Sequence, residues 1–572
     1  MRKALFLNLV LIVGCFVIFG SVPAAKADDA APGAKVDKLF EKWNSADSPG
    51  AAVAIIKDGM VVYRKGFGSA QLEYSIPITP STVFHVASVS KQFTAMAITM
   101  LEAAGKLSAD DDIRKYLPEM ADFGKTITIR NLLHHTSGLR DQWELLILSG
   151  WRMDDVITQA DIMDRLRRQR ELNFAPGERY LYCNSGFTLL AEIVSRVSGQ
   201  PFTQWTQENI FGPLGMTSTH FHLDYQEIVK NRAYSYQGDP EKGFAQSVLS
   251  YANVGATSLF TTVEDMANWV RNFEDKRVGG AAVMDRMLTK GVLTSGSEIP
   301  YGRGIVIDEY KGLKFIGHDG GDAGFRSNVM FFPGERFGVA IFSNLASFNP
   351  GAVSRQIADI YLASQLKPQG PGPVGAKQVP GKPAPKPVSL PAKSLEAFQG
   401  TYWIEATQVV RKIVLDKDKL MYVRSEDNKS ELAPVAATEF MMKDTPDSVR
   451  VTFSDKAGTH YETMTVAVAN EPTVVGKWME PFSPTEDMLR EYAGSYYSGE
   501  LDTRYDLVIK SGALSVRDRR GEDVPAVAQK KDLFLAGGFM KIRFQRDGNG
   551  GITGFTVSTG RVLNLKFAKL KP

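Results

Sequence analysis

Three short clusters carry residue types suited to nucleophilic chemistry. Ser88-Val89-Ser90-Lys91 places a serine three residues before a lysine, which on a helix puts both side chains on one face. A lysine withdrawn from water loses part of its preference for its proton and can take the serine's. A helix start there also offers N–H groups and a dipole that favour developing negative charge. Tyr182-Cys183-Asn184 adds a proton carrier and an amide. A tyrosine whose pKa is lowered by a cation such as Lys91 can shuttle a proton, and an asparagine can orient both a lysine and a substrate amide. Gly317-His318-Asp319-Gly320-Gly321 supplies glycines that let backbone N–H groups approach a substrate oxygen, with His318 as a donor or cation. Taken singly, each cluster has a plainer reading. The first is a helix start with an exposed lysine. The second is a core tyrosine beside an N-cap at Asn184 or Ser185. The third is a turn with a satisfied histidine.

Positioning such groups takes defined elements. Phe93, Met96, Ala97, Met100 and Leu101 follow helical spacing after Lys91, with Gly105 as a stop. Leu189, Leu190, Ile193, Val194 and Val197 do the same after Asn184, stopping at Gly199. Val53-x-Ile55 and Val61-x-Tyr63 flank Asp58-Gly59, a hairpin signal. Phe325 to Phe332 and Phe337 to Phe342 flank Pro333-Gly334-Glu335-Arg336, a second hairpin, just after the strand that begins at Lys314 and carries His318. The pattern predicts an antiparallel sheet with a large helical insertion across 35–365.

Lys367 to Pro391 holds eight prolines in 25 residues and reads as an extended polyproline linker. Beyond it lies an internal repeat. Leu395-x-x-Phe398-x-Gly400-x-Tyr402 returns as Leu489-x-x-Tyr492-x-Gly494-x-Tyr496, a shift of 94 residues. Short alternating runs follow each copy, predicting two small antiparallel β-barrels at 394–483 and 486–571.

Composition narrows the class. The 572 residues are 44% hydrophobic and 23% charged, which excludes a disordered chain. With 67 Lys plus Arg against 64 Asp plus Glu, the balance argues against nucleic-acid binding. Cys15 and Cys183 are too few for a disulfide scaffold or a cysteine zinc site. Residues 1–27 read as an export signal: Arg2-Lys3, an apolar run from Ala4 to Gly20, then Ala25-Lys26-Ala27. Two readings compete with cleavage there, a lipoprotein box ending at Cys15 and an uncleaved membrane anchor. Each exports the chain, so the expected location is periplasmic or secreted, with membrane contact only through this segment.

Together the clusters resemble the penicillin-recognising serine hydrolases, a superfamily that includes class C β-lactamases, DD-peptidases, D-aminopeptidases and β-lactamase-like esterases. Its Ser-x-x-Lys, Tyr-x-Asn and Lys/His-x-Gly motifs match Ser88 to Lys91, Tyr182 to Asn184 and His318 to Gly320. Leu132 to Leu139, Phe211 to Met216 and Gly255 to Leu259 are similar as well. The resemblance covers about 40–360 and implies a multi-domain α+β protein, with a β-lactamase-like domain ahead of the barrels. It implies an acyl-enzyme on Ser88, with Lys91 and Tyr182 moving its proton and Tyr182 activating the deacylating water. The oxyanion hole would be the N–H groups of Ser88 and Gly321. Asn184 would hold the substrate and His318 would support Tyr182 or a substrate carboxylate. Neither metal nor organic cofactor is implied. The expected substrate is a small peptide or ester, possible sources including peptidoglycan, with peptidase or amidase action ahead of esterase and weak β-lactamase action. A cell-wall binding protein with an idle hydrolase domain is the non-enzymatic alternative.

His318 stands where true β-lactamases have lysine, and Asp319 where threonine or serine is usual; a carboxylate at 319 would repel a penicillin carboxylate and suit a neutral ester or a free amine. The barrels resemble those of D-aminopeptidase-type members, where they pack on the catalytic domain and restrict its cleft. Other signals are weaker. Cys183 reads as a small filler. His220-Phe221-His222 has metal-ligand spacing but no acidic partner set in view, so no metal is expected. Arg165, Arg167, Arg168 and Arg170 read as a solvated helix face, and His134-His135 as support for a turn below the cleft.

Overall fold

The computed structural model describes residues 31–367, 388–425, 428–443, 445, 449–468 and 473–571. Residues 1–27, read from sequence as an export signal, and most of the proline-rich stretch lie outside the described residues. The first unit contains strands β1 (Ala51–Lys57), β2 (Met60–Phe67), β3 (Phe84–His85), β4 (His220–Phe221), β5 (Leu259–Thr261), β6 (Val306–Tyr310), β7 (Leu313–Asp322), β8 (Phe325–Phe332) and β9 (Phe337–Ser343). Six of them form an antiparallel sheet in the order β6-β7-β8-β9-β1-β2, and β3-β5-β4 form a small second sheet. The helices that matter here are α1 (Pro32–Phe40), α2 (Ser90–Ala103), α3 (Gln142–Leu148), α4 (Gln159–Arg168), α5 (Asn184–Ser198), α6 (Val263–Asp275) and α7 (Pro350–Tyr361).

Strand pleating explains why β1 is apolar throughout its buried length. Ala51, Val53 and Ile55 face Val36, Phe40 and Ile357 of α1 and α7, while Ala52, Ala54 and Ile56 face a core with Phe93, Met96, Trp269 and Val270 of α2 and α6. Helices thus cover both faces of the sheet. The hairpin joining β1 to β2 turns through Asp58 and Gly59, whose φ values of 50° and 74° suit a two-residue turn of the primed type. Gly199, at φ 74°, ends α5 in the left-handed conformation.

The last third forms two closed barrels, with strands running from Gly400–Ile404 to Val474–Met479 and from Gly494–Ser498 to Leu565–Lys569. The repeat is visible in atomic detail. Tyr402 Oη donates to the Phe398 carbonyl at 3.3 Å, and Tyr496 Oη donates to that of Tyr492 at 2.9 Å.

The second barrel packs directly on the helical part of the first unit, and their apolar side chains form one continuous core. Fully buried Arg140 pairs with Glu500 and donates from Nη2 to the Leu563 carbonyl at 3.1 Å. Tyr505 Oη donates to the Leu148 carbonyl at 2.6 Å. The arginine run of α4, expected to be a solvated face, is in part a docking face: Arg165 donates to the Leu501 carbonyl at 2.7 Å and Arg168 lies 3.4 Å from Asp502. The first barrel rests on the second, with Lys530 Nζ 3.8 Å from the Trp403 ring centroid.

Candidate active site

The chain leaves β3, passes Ala87 at φ 46°, and enters a short 3-10 turn, Ala87–Val89, that runs into α2. A left-handed alanine costs about 1–2 kcal/mol, and such strain collects where a side chain must be held in an unusual place. It presents Ser88, partly exposed, one turn before Lys91. Lys91 is fully buried rather than exposed. Its Nζ donates to Ser88 Oγ at 2.9 Å, Asn184 Oδ1 at 2.8 Å and the Ala256 carbonyl at 2.7 Å. Burial pushes its pKa down to about 7, against the fields of Asp322 and Asp141, and Arg561 pushes it the same way as burial. Near neutral pH the amine therefore exists in both states. Its neutral form can accept the Ser88 proton along the contact it already makes.

Asn184 opens α5 and links Lys91 to a buried carboxylate. Its backbone N–H and Nδ2 both donate to Asp141 Oδ2, at 2.7 and 2.8 Å. Asp141 also caps α3 by accepting from the Trp143 N–H at 3.0 Å. The amide thus holds Lys91 in place, one of the two roles the sequence suggests for Asn184. Tyr182 faces the same centre. Lys91 Nζ lies 5.0 Å from its ring centroid and the Arg561 guanidinium 5.5 Å. Its buried hydroxyl has no hydrogen-bond partner among the described residues. The expectation of a lowered tyrosine pKa fails: burial raises it, outweighing the lowering effects of Ser88 and Arg561. Tyr182 is thus a protonated phenol at neutral pH.

His318 lies mid-strand in β7, not in a turn, and bonds Tyr301 Oη through Nε2 at 2.9 Å. Burial and the nearby Lys91 push its pKa down to about 3, so it is a neutral imidazole and supplies no cation. Gly320 has no room for a side chain, since a Cβ would sit 2.4 Å from the Val86 carbonyl and 3.1 Å from the Ser88 nitrogen. Gly321 is the exposed residue that follows. Asp319 does not face the cleft. Pleating sends it to the opposite face from His318, where it accepts from Asn328 Nδ2 at 2.9 Å near Gly351 of α7. A carboxylate whose field reaches Lys91 is Asp322, which contacts His85 Nε2 at 2.9 Å and accepts from Thr257.

Sequence reasoning missed Asp141, Asp322 and Arg561. Asp322 was within reach, because counting on along β7 from His318 by twos lands on it. Arg561 gave no local signal: it sits in the turn before the last strand of the second barrel. There its N–H donates to Glu144 at 2.6 Å, its carbonyl accepts from Asn173 Nδ2 at 2.9 Å, and its guanidinium lies 3.5 Å from Asp141.

The weaker signals also find places. Cys183 Sγ is buried against the Leu139 carbonyl and its pKa is pushed up to about 12, so the thiol is inert filler. His135, at φ 57°, accepts from the Cys183 N–H at 3.0 Å and packs its ring 4.2 Å from that of Tyr182. Beside His220 and His222 the fold brings Glu227, the acidic partner that sequence spacing alone did not reveal.

Comparison with known proteins agrees with this geometry. A family model described as Beta-lactamase matches residues 36–363. A D-aminopeptidase of Brucella anthropi is 32% identical over 302 residues, 53% of this chain and 56% of that protein, so the match spans little more than half of that relative. Another D-aminopeptidase of Brucella anthropi is 26% identical over 539 residues, 92% of this chain and 96% of that protein. Among solved structures, the octameric penicillin-binding protein homologue from Pyrococcus abyssi superposes with a TM-score of 0.55 at 24% identity, covering 78% of this chain and all of that one, which speaks to fold alone. With more than half its length matched by the family model and its three motifs assembled around Ser88, the chain belongs to the β-lactamase family.

Proposed function

We propose that the chain is an exported serine hydrolase that forms an acyl-enzyme on Ser88 and cleaves amide bonds of small substrates with a D-residue, such as cell-wall-type peptides. The observation that carries the reading is Lys91, wholly buried, poised near pH 7 and 2.9 Å from Ser88 Oγ. Neutral Lys91 takes the Ser88 proton as Oγ attacks the carbonyl carbon. The Ser88 and Gly321 N–H groups receive the oxyanion. Tyr182, held protonated by burial, gives its proton to the leaving amine and is refilled from Lys91. Water then attacks the acyl carbonyl, with Lys91 rather than Tyr182 as its base. Asp322, held by His85 and Thr257, offers a carboxylate to a free substrate ammonium, which fits aminopeptidase action of the kind named for the Brucella anthropi relatives. Neutral His318 gives a β-lactam carboxylate no cation to pair with, which places β-lactamase action last.

The test is a parallel panel on protein lacking residues 1–27: D-alanyl and L-alanyl anilides, a D-Ala-D-Ala peptide, a short-chain nitrophenyl ester and a chromogenic cephalosporin. The D-alanyl anilide is expected to turn over fastest. A preference for the ester or the cephalosporin would reassign the subclass, and silence from folded protein would favour the cell-wall binding role.

The pH profile is a second check. Lys91 must be neutral to act, so kcat/KM should rise through an acid limb near pH 7, falling about tenfold per pH unit below it. Arg561→Gln removes a cation that lowers the Lys91 pKa and leaves Asp141 less compensated, and both changes favour the ammonium. The acid limb should move to higher pH in that variant. A profile flat from pH 5 to 9 would remove Lys91 as the base.

A further inference from the structure

One cluster has no part in the Ser88 chemistry. His220 and His222 stand two positions apart at β4, so their rings project to the same side. His220 Nε2 and His222 Nδ1 are 3.4 Å apart, and Glu227 Oε2 comes within 3.6 Å of His222 Nδ1. One ligand atom from each of the three residues falls within 4.8 Å of the others. A tetrahedral ion held at about 2.0–2.2 Å from nitrogen and oxygen donors separates its ligand atoms by about 3.3–3.6 Å. Two of the three edges of such a site are therefore already set.

The three groups do little for one another as they stand. The histidine contact is long for a hydrogen bond, the glutamate distance lies beyond one, and His222 Nε2 is buried without a partner among the described residues. Arg232 packs on the Phe260 ring at 5.0 Å and also opposes a cation, leaving Glu227 to supply the balancing charge.

We propose that His220, His222 and Glu227 bind one divalent cation of the zinc class, with a fourth position open to water. Two histidines and a carboxylate are a donor set that suits Zn²⁺ better than Ca²⁺ or Mg²⁺, which demand oxygen. The ion would fasten the segment carrying Glu227 to β4. Phe260 of β5 lies opposite both His220 and, on its other side, His85, so the site is two strands from the histidine that holds Asp322. Its role is to brace that small sheet, separate from the proton transfers at Ser88.

Calorimetric titration of Zn²⁺ into untagged, chelator-stripped full chain is the test, with thermal melting alongside. One ion per chain and a raised Tm are expected. Glu227→Gln, at an exposed position that leaves folding intact, should weaken binding at least tenfold, and His222→Ala should do the same. Ser88-dependent hydrolysis should survive in both variants, so a failure here is distinguishable from a failure of the hydrolase reading. Co²⁺ in place of Zn²⁺ should give the strong visible bands of a tetrahedral site. Unchanged Zn²⁺ affinity in Glu227→Gln and in a His220→Gln, His222→Gln double variant would overturn the assignment and move binding to a surface pair such as His460 and Glu462. No binding to the wild-type chain would overturn it outright.

Discussion

Ser88→Ala is expected to lower hydrolysis of the best panel substrate by about 10⁴-fold or more while leaving the fold intact. The size follows from the lack of a substitute nucleophile beside Lys91. Ser90 Oγ is committed, donating to the Ala87 carbonyl at 2.5 Å and accepting from the Leu259 N–H at 3.1 Å. Cys183 is buried, and burial holds its proton on the thiol. The stability change should stay within about 0.5 kcal/mol, because Ser88 is partly exposed and gives up one contact. Lys91→Gln should cost about 10²–10⁴-fold, because it removes the base and keeps a donor for Asn184 and Ala256. Rates for Ser88→Ala and wild type, measured on the same day with matched melting curves, decide the matter. Residual activity within tenfold of wild type would place the nucleophile elsewhere.

The features that were legible in the sequence share one property: each depends on local spacing. A lysine three positions after a serine lies one turn away in any helix, and Lys91 does meet Ser88. Asp58-Gly59 forms its hairpin because the turn needs positive φ at both residues. The barrel repeat shows because each copy closes on the same tyrosine-to-carbonyl bond. What was not legible depends on assembly. The pKa of Tyr182 goes the other way because burial, a property of the assembled fold, outweighs the lowering effects of Ser88 and Arg561. Asp141 looks like an ordinary helix cap until the fold sets Asn184 against it. Asp319 was misjudged through a local rule left unapplied, since strand pleating alone puts it across the sheet from His318.

Arg140→Ala should be the most destabilising of the substitutions considered, by about 3–5 kcal/mol in denaturant unfolding. Arg140 is fully buried, and its partner Glu500 keeps only 11% of its side chain exposed. Removing the guanidinium strands that carboxylate at the seam between the helical region and the second barrel, and it also deprives the Leu563 carbonyl of a donor. Removing both charges should hurt less than removing one: Arg140→Met with Glu500→Leu is expected to recover a large part of the loss, because no uncompensated charge remains. The same seam bears on catalysis. Leu563 closes the turn that holds Arg561 over Tyr182, and that turn is otherwise fixed through Asn173 and Glu144. If Arg140 secures the barrel and the barrel carries Arg561, then Arg140→Ala should raise the acid limb of kcat/KM as Arg561→Gln does, although Arg140 touches neither Ser88 nor Lys91. A fall in stability with an unmoved limb would show the contacts of Asn173, Glu144 and Asp141 holding the turn without Arg140. A moved limb would make the second barrel part of the active site's electrostatics.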